Sequence, residues 1–442
     1  MSKPTHRRMI TSGLAVLLAV QTIGTAPAAM AAVSPAPVKA EAASGAVKSL
    51  QPIWSVPTDS SVKTGDYGDE GRTVIEPFKG MAITLKEGQM IALHAKTGER
   101  MWKFGAKLLP YFTMGHDSVY AITQGGSLVS VTLQGKLRWS VPTGTFALGD
   151  KVVLLENMLY VLRSRSMQAF DTRTGKLLWK SVVPNGTSTP VNLTSWNDTL
   201  IGTRWGQGAI TTLQLFALDK RTGKKLWTLN GQNLPISYWD GSGLFTQTQD
   251  ITMGAAERKL TFRVVDLLTG KILKTREYRH TPVNMEGFHF LPRAVLEGNT
   301  LYIFWGDEIA AYDMLDESEN PKPLRTFAQP KDEYPTGMIK YDQFIMKNDR
   351  LGRNSAIRTA SGEHIQWDEQ RAPRYEADII GRGLYEKYEN GQLKAYDLRN
   401  GQLVFTAATG SGKIGKVLRT GPYLVVEKDG RVLGYKIPEQ LH

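Results

Sequence analysis

MQAFDTRTGKLLW, from Met167 to Trp179, and LFALDKRTGKKLW, from Leu215 to Trp227, are two copies of one phrase, and their recurrence decides the fold. Both read Ala, one residue, Asp, two residues, Thr-Gly-Lys, two residues, Trp. Looser copies end at Trp102, Trp139, Lys274, Trp367 and Phe405. The turn glycines are Gly98, Gly135, Gly175, Gly223, Gly270, Gly362 and Gly401, with a degenerate turn near Glu317. They recur about every 43 residues, a period that belongs to stacked structural repeats.

Within one unit, Gly144 to Val183, three apolar strand-like runs (VVLL, MLYVL and MQAFD) are followed by the Thr174-Gly175-Lys176 turn and a fourth run from Leu177 to Ser181. Runs of four to six residues between polar turns, without helical periodicity, indicate a four-stranded antiparallel meander. A single such sheet cannot bury both faces. Radial stacking of several around an axis does, so the fold class expected is an all-β propeller. In five units the Ala of the phrase (Ala92, Ala169, Ala217, Ala310, Ala395) leaves room for a ring. The Asp accepts hydrogen bonds from the turn after it. The Trp covers a large apolar area between sheets and offers its N–H to a carbonyl of the adjoining blade. An Asp that recurs in most units reads as structural rather than catalytic.

After Gly401 come strands near 416–419, 423–427 and 432–436, with no Trp strand behind them. Ile53-Trp54-Ser55-Val56-Pro57 echoes Arg138-Trp139-Ser140-Val141-Pro142, so the N-terminal strand is expected to complete the last blade and remove an open sheet edge. The count is eight continuous units and one split unit. Eight blades are favoured over the nine candidates because a nine-bladed ring would be unusual, with one weak unit misassigned. Blade-docking roles fall to Trp54, Trp102, Trp139, Trp179, Trp227 and Trp367.

Residues 1–31 read as a secretory signal: Lys3, His6, Arg7 and Arg8, an apolar run from Met9 to about Ile23, then Ala29-Met30-Ala31. Residues 32–50, rich in Ala, Pro and Ser, read as a flexible leader. The propeller spans 51–437, and 438–442 form a tail. The chain has no cysteine, which removes disulfides, thiolate metal sites, a cysteine nucleophile and lipid attachment through cysteine. The expected location is therefore exported: secreted, cell wall-associated or periplasmic, and not as a lipoprotein. A formal charge of +12 on 442 residues favours anionic neighbours, but no dense basic block points to nucleic acid.

The phrase A-x-D-x-x-T-G-K-x-x-W resembles the tryptophan-docking repeat of pyrroloquinoline-quinone-type propellers, over about residues 51–437. That resemblance implies one of two activities. Quinoprotein dehydrogenases hold the quinone between a vicinal disulfide and a Trp and bind calcium through carboxylate and amide oxygens. Scaffolds such as BamB of outer-membrane protein assembly carry no catalytic group. With no cysteine and no assignable Glu/Asn/Asp set, neither the quinone nor calcium is expected as a cofactor. The reading is a non-catalytic scaffold binding a protein or an anionic envelope polymer. The alternatives are a quinone-dependent dehydrogenase and a carbohydrate-binding or carbohydrate-processing propeller.

No catalytic, cofactor or metal residue is assigned. His280, Glu286 and His289 read as an interblade loop rather than a metal site. Asp313, Asp316, Glu317 and Glu319 lack the ligand pattern of a calcium loop and read as a solvated insertion. Four Trp fall outside the phrase: Trp196, Trp205, Trp239 and Trp305. They sit where the turn spacing stretches, and Trp205, Trp239 and Trp305 are candidates for partner binding, with irregular core as the competing role.

Overall fold

The computed structural model describes residues 38–39, 47–59, 75–147, 150–182, 188–206, 212–230, 232–239, 241–248, 257–282, 293–348, 353–367, 374–428 and 430–442. The described residues build a β-propeller of nine antiparallel blades. Blades 1 to 9 run over 75–104, 108–142, 151–182, 191–229, 232–280, 293–328, 334–366, 374–408 and 414–436, the last completed by Trp54–Pro57. The nine candidate units are thus nine sheets, and the preference for eight gives way. The weak unit around Glu317 is a full blade whose turn has been lengthened.

Alternation along each strand explains the stacking. In blade 3, Tyr160, Leu162, Met167, Ala169 and Trp179 face blade 4, packing on Leu200, Phe216 and Leu218. The intervening Leu159, Val161 and Phe170 face blade 2, against Tyr120, Ile122, Leu128 and Trp139. A period of two therefore gives every sheet two apolar faces, each buried by a neighbour. In blades 1, 3, 4 and 8 the pairing of the last two strands slips just after the Ala of the phrase, at Ala92/Leu93, Ala169/Phe170, Ala217/Leu218 and Ala395/Tyr396. Such a bulge bends the outer strand locally. In blade 6 the residue at this register is Ala311, paired to Tyr302 as Ala169 is to Tyr160, which corrects the assignment of Ala310.

Closure follows the expected route. Trp54, Ser55, Val56 and Pro57 pair antiparallel with Gly434, Leu433, Val432 and Arg431. The leader departs from the flexible reading at two places. Val38–Lys39 pairs parallel with Ile365 and Gln366 on the outer edge of blade 7. Lys48–Leu50 pairs parallel with Phe405 to Ala407 on blade 8. The segments Val38–Lys39, Lys48–Leu50 and Trp54–Pro57 thus add to the outer strands of blades 7, 8 and 9 in turn. The tail is a single 3₁₀ turn, Glu439–Leu441, with Leu441 buried beneath blade 9. Residues 1–31, read as a signal, lie outside the described residues. No helix among the described residues is long and apolar enough to cross a membrane.

Candidate functional site

The repeat chemistry closes turn after turn in the same way, and the one seam among the described residues where it fails holds the candidate site. Asp171 Oδ1 accepts the backbone N–H of Thr174 at 2.7 Å and its hydroxyl at 2.6 Å. Asp219 does the same with Thr222, at 2.7 and 2.8 Å, and Asp266 with Thr269, both at 2.7 Å. The Thr hydroxyl is the main reason each of these carboxyls is held below its ordinary range. The recurrent Asp is a turn clamp.

Each closed turn offers a flat seat to the preceding blade. The indole Nε1 of Trp54 donates to Ala95 O at 2.8 Å, Trp102 to Leu133 at 2.8 Å, Trp139 to Thr172 at 3.0 Å, Trp179 to Lys220 at 2.8 Å and Trp227 to Leu267 at 3.1 Å. Each ring lies over the turn glycine of the next blade, from Gly98 to Gly270, so closely that a Cβ there would overlap it. Trp367 is buried against Leu384, Tyr396 and Leu398 of blade 8, though its N–H has no acceptor. Phe405 packs between blades 8 and 9. Blade 6 supplies Phe327, which covers Gly362 of blade 7. Sequence reading missed Phe327 because the insertion after Asp313 shifts it off the thirteen-residue count.

Among the described residues one seam lacks its ring. In blade 5 the residue across from Val264 is Lys274, at the register where Trp179 faces Ala169 and Trp227 faces Ala217. Lys274 Nζ reaches Glu317 Oε1 of blade 6 at 2.9 Å, which lowers the Glu317 carboxyl below its usual range. The acceptor carbonyl of this seam, Met314 O, instead takes a hydrogen bond from Arg276 Nη1 at 3.0 Å. Between the two blades remains a cavity of about 370 Å³, lined by Phe262, Val264, Lys274, Arg276, Leu296 and Met314 among others, with Leu315 at its mouth. That volume falls in the range of small-ligand pockets, roughly 300–1,000 Å³. Behind Phe262, which lines it, Tyr278 and Tyr312 continue the core in edge-on ring contacts, with centroids 5.4 and 4.6 Å apart.

The off-pattern Trp do not form one surface. Trp305 is wholly buried, 0% exposed, in the core between blades 5 and 6, where it stacks on His280 at 5.4 Å and 18°. It is a packing residue, which corrects its assignment to partner binding. Trp205 is 43% exposed near the end of the eight-residue strand Thr199–Gly206, its backbone clamped to Ser188. Trp239 ends the strand Gln232–Trp239, and its side chain lies outside the described residues. Trp196 packs at the edge of the blade 4–5 core.

Two polar clusters invite a catalytic reading and fail it on geometry. Glu333 Oε2 takes the Ser355 hydroxyl at 2.5 Å and His364 Nε2 at 3.1 Å. A nucleophilic triad needs the His between the Ser and the acid, whereas here the acid sits between them. His280 Nε2 contacts both oxygens of Asp307, at 2.8 and 3.0 Å, but no hydroxyl or thiol stands beside it among the described contacts. Glu286 and His289 lie outside the described residues. In the blade 6 insertion, Asp313 and Asp316 accept backbone N–H groups of Leu315 and Ser318, as a self-capped solvated turn does. Among the described residues no three His, Asp or Glu side chains are placed to share a metal ion.

The fold and its seams define a β-propeller of repeated four-stranded blades. The family profile described as outer membrane protein assembly factor BamB matches residues 86–232, which hold the best copies of the phrase. No curated protein sequence matches the chain. Among solved structures it is similar to BamB from Moraxella catarrhalis, with 16% identity, 75% of this chain and 95% of that chain covered, and a TM-score of 0.47. It is also similar to the quinohemoprotein alcohol dehydrogenase from Comamonas testosteroni, with 14% identity, 89% and 78% covered, and a TM-score of 0.45. A computationally designed protein, Ika8, shows 12% identity, 86% and 99% covered, and a TM-score of 0.46.

Proposed function

We propose that this chain is an exported, non-catalytic propeller that works as a scaffold, binding another protein or an anionic polymer of the cell envelope. The observation that carries the reading is the match of residues 86–232 to the profile of an outer-membrane assembly factor. The Ser355, Glu333 and His364 cluster is consistent with it, since its acid stands between the hydroxyl and the imidazole, the wrong order for a nucleophilic triad. Neither quinone nor calcium belongs to the proposal. The basic surplus suits an anionic neighbour, and export rests on the basic and apolar pattern of residues 1–31.

The test is cross-linked affinity capture of the full chain from envelope fractions, at low and high salt. A stoichiometric protein partner, or retention on wall material that salt abolishes, is the expected result. Dye-linked oxidation of alcohols or sugars after loading with quinone and calcium overturns the reading in favour of a dehydrogenase. Salt-resistant retention on neutral polysaccharide overturns it in favour of a carbohydrate-binding propeller.

A further inference from the structure

We propose that the seam between blades 5 and 6 is an open docking slot for a partner protein's aromatic side chain, flanked in the partner by a carboxylate. The inference rests on the scaffold reading and gives that reading a place and a chemistry.

The chain itself shows what such a slot accepts. Trp54, Trp102, Trp139, Trp179, Trp227, Phe327, Trp367 and Phe405 fill the other seams, and only the 5–6 seam, among the described residues, has none. Where a ring belongs, Lys274 points its ammonium outward to Glu317, and a cavity of about 370 Å³ is left beneath. An indole or phenyl ring is the group that fits between an apolar sheet face and a flattened turn, because it buries a large area with few rotatable bonds.

The rim changes character at the same place. Two residues past the turn Asp, blades 3 and 4 carry Arg173 and Arg221, whereas blades 5 and 6 carry Leu268 and Leu315. These leucines are 68% and 66% exposed. Leu315 lines the cavity, so leucine in place of a charged turn residue there exposes apolar surface where a monomer gains nothing from it, while Leu268 sits on the turn that seats Trp227 at the neighbouring seam.

The charge around the slot sets the second requirement. Lys274 and Arg276 line the cavity together, and Arg276 Nη2 is buried without a hydrogen-bond partner. A carboxylate next to the entering ring supplies that acceptor. The Lys274–Glu317 pair is partly exposed, and pairs of that kind are weak enough for an incoming acid to displace.

The probes are the tetrapeptide acetyl-Asp-Trp-Asp-Gly-amide and its forms with Ala for Trp or Asn for both Asp, titrated into the full chain by calorimetry and ligand-observed NMR. The Trp peptide is expected to bind at least about tenfold more tightly than the Ala peptide. Val264→Ala combined with Lys274→Trp rebuilds the missing dock and should abolish binding without lowering the thermal midpoint. Arg276→Ala should remove the preference for Asp over Asn. Leu315→Arg, an exposed change back to the residue type of blades 3 and 4, should weaken binding even if the rebuilt dock fails to fold. Equal affinity for the Trp and Ala peptides, or undiminished binding by Leu315→Arg and the rebuilt dock, overturns the slot. If envelope capture by the wild type persists in both variants, the slot falls while the scaffold reading stands. If capture fails but the peptide selectivity holds, the scaffold reading falls and the slot stands. Self-association that the rebuilt dock abolishes assigns the slot to a second copy and overturns the proposal.

Discussion

Trp54 Nε1 lies 2.8 Å from the carbonyl oxygen of Ala95, so the outermost strand of blade 9 is fastened to blade 1 by a residue near the start of the chain. The same indole covers Gly98 and packs with Ala82, Ile91, Val425 and Val432, which belong to the two blades it joins. Ring closure is therefore one more copy of the seam found between blades 1 and 2 or 3 and 4. Trp54→Ala is expected to cost about 3–5 kcal/mol, the range for removing a buried Trp. It should also make the segment before blade 1 the first site of proteolysis. Denaturant titration and limited proteolysis with mass mapping check both; an unchanged cleavage pattern would argue that closure does not depend on this ring.

The glycine seats separate two costs that usually arrive together. At Gly175 (φ +72°) a Cβ would stand 2.6 Å from Trp139 Cδ2, whereas at Gly241 (φ +69°) it would meet nothing within 4 Å. Both alanine variants bear the strain of a left-handed backbone, of about 1 kcal/mol. Only Gly175→Ala must also push the indole off its seat, adding about 1–3 kcal/mol as other overpacked sites do. The difference between the two midpoints in urea measures the seam directly. Equal losses would show the ring shifting without cost.

Stability should fall in acid through the turn clamps. Asp171, Asp219 and Asp266 have folded-state values below the ordinary 3.8, chiefly through the Thr hydroxyl beside each. A depressed carboxyl contributes stability that is fully present above the unfolded value and is lost as pH falls through the folded one. The window thus lies below about pH 4, the usual range for an unfolded Asp. All three sites are well solvated, so each contribution is small, and the triple Asn variant is the informative one. Its denaturation midpoint should lie below wild type at pH 7 and converge with it toward pH 3. Parallel curves would mean that the clamps bind equally well in neutral form.

The two off-pattern Trp whose side chains are described should respond in opposite ways. Trp305→Ala empties a fully buried site and is expected to cost about 3–5 kcal/mol. Trp205→Ala, at an exposed position, should stay within about 0.5 kcal/mol of wild type. Any loss of partner capture in the Trp205 variant then reads on binding alone. Thermal denaturation followed by capture separates the two.

Much of this architecture was legible in the sequence, because packing demands repeat themselves. Asp before Thr-Gly and a Trp four residues after that Gly spell out a clamp and a lid, and Trp54 announced the closing strand. What escaped notice was whatever broke the spacing. Phe327 performs the docking of blade 6, but it stands fourteen residues after Asp313, six beyond the place the phrase sets, and no period points to it. Trp305 looked like a loose aromatic for the opposite reason: it follows a strand in a blade whose phrase had decayed, although that strand is core. The site was half legible. Lys274 stood visibly in a Trp position, yet only the cross-strand register with Val264 and the Arg276 bond to Met314 show that nothing replaces the missing ring.

The rim strands Val38–Lys39, Lys48–Leu50 and Trp54–Pro57 bear on the order in which the molecule is made. Each pairs with residues more than 300 positions later, as Ser55 does with Arg431 across 376 residues. Contacts that close such long loops form late, after local hairpins are in place. During synthesis these three segments must therefore wait, unpaired, until blades 7, 8 and 9 exist. Completion of this ring is a timing event: eight sheets can assemble in chain order, but the ninth is not whole until Trp54–Pro57 meets residues 431–434.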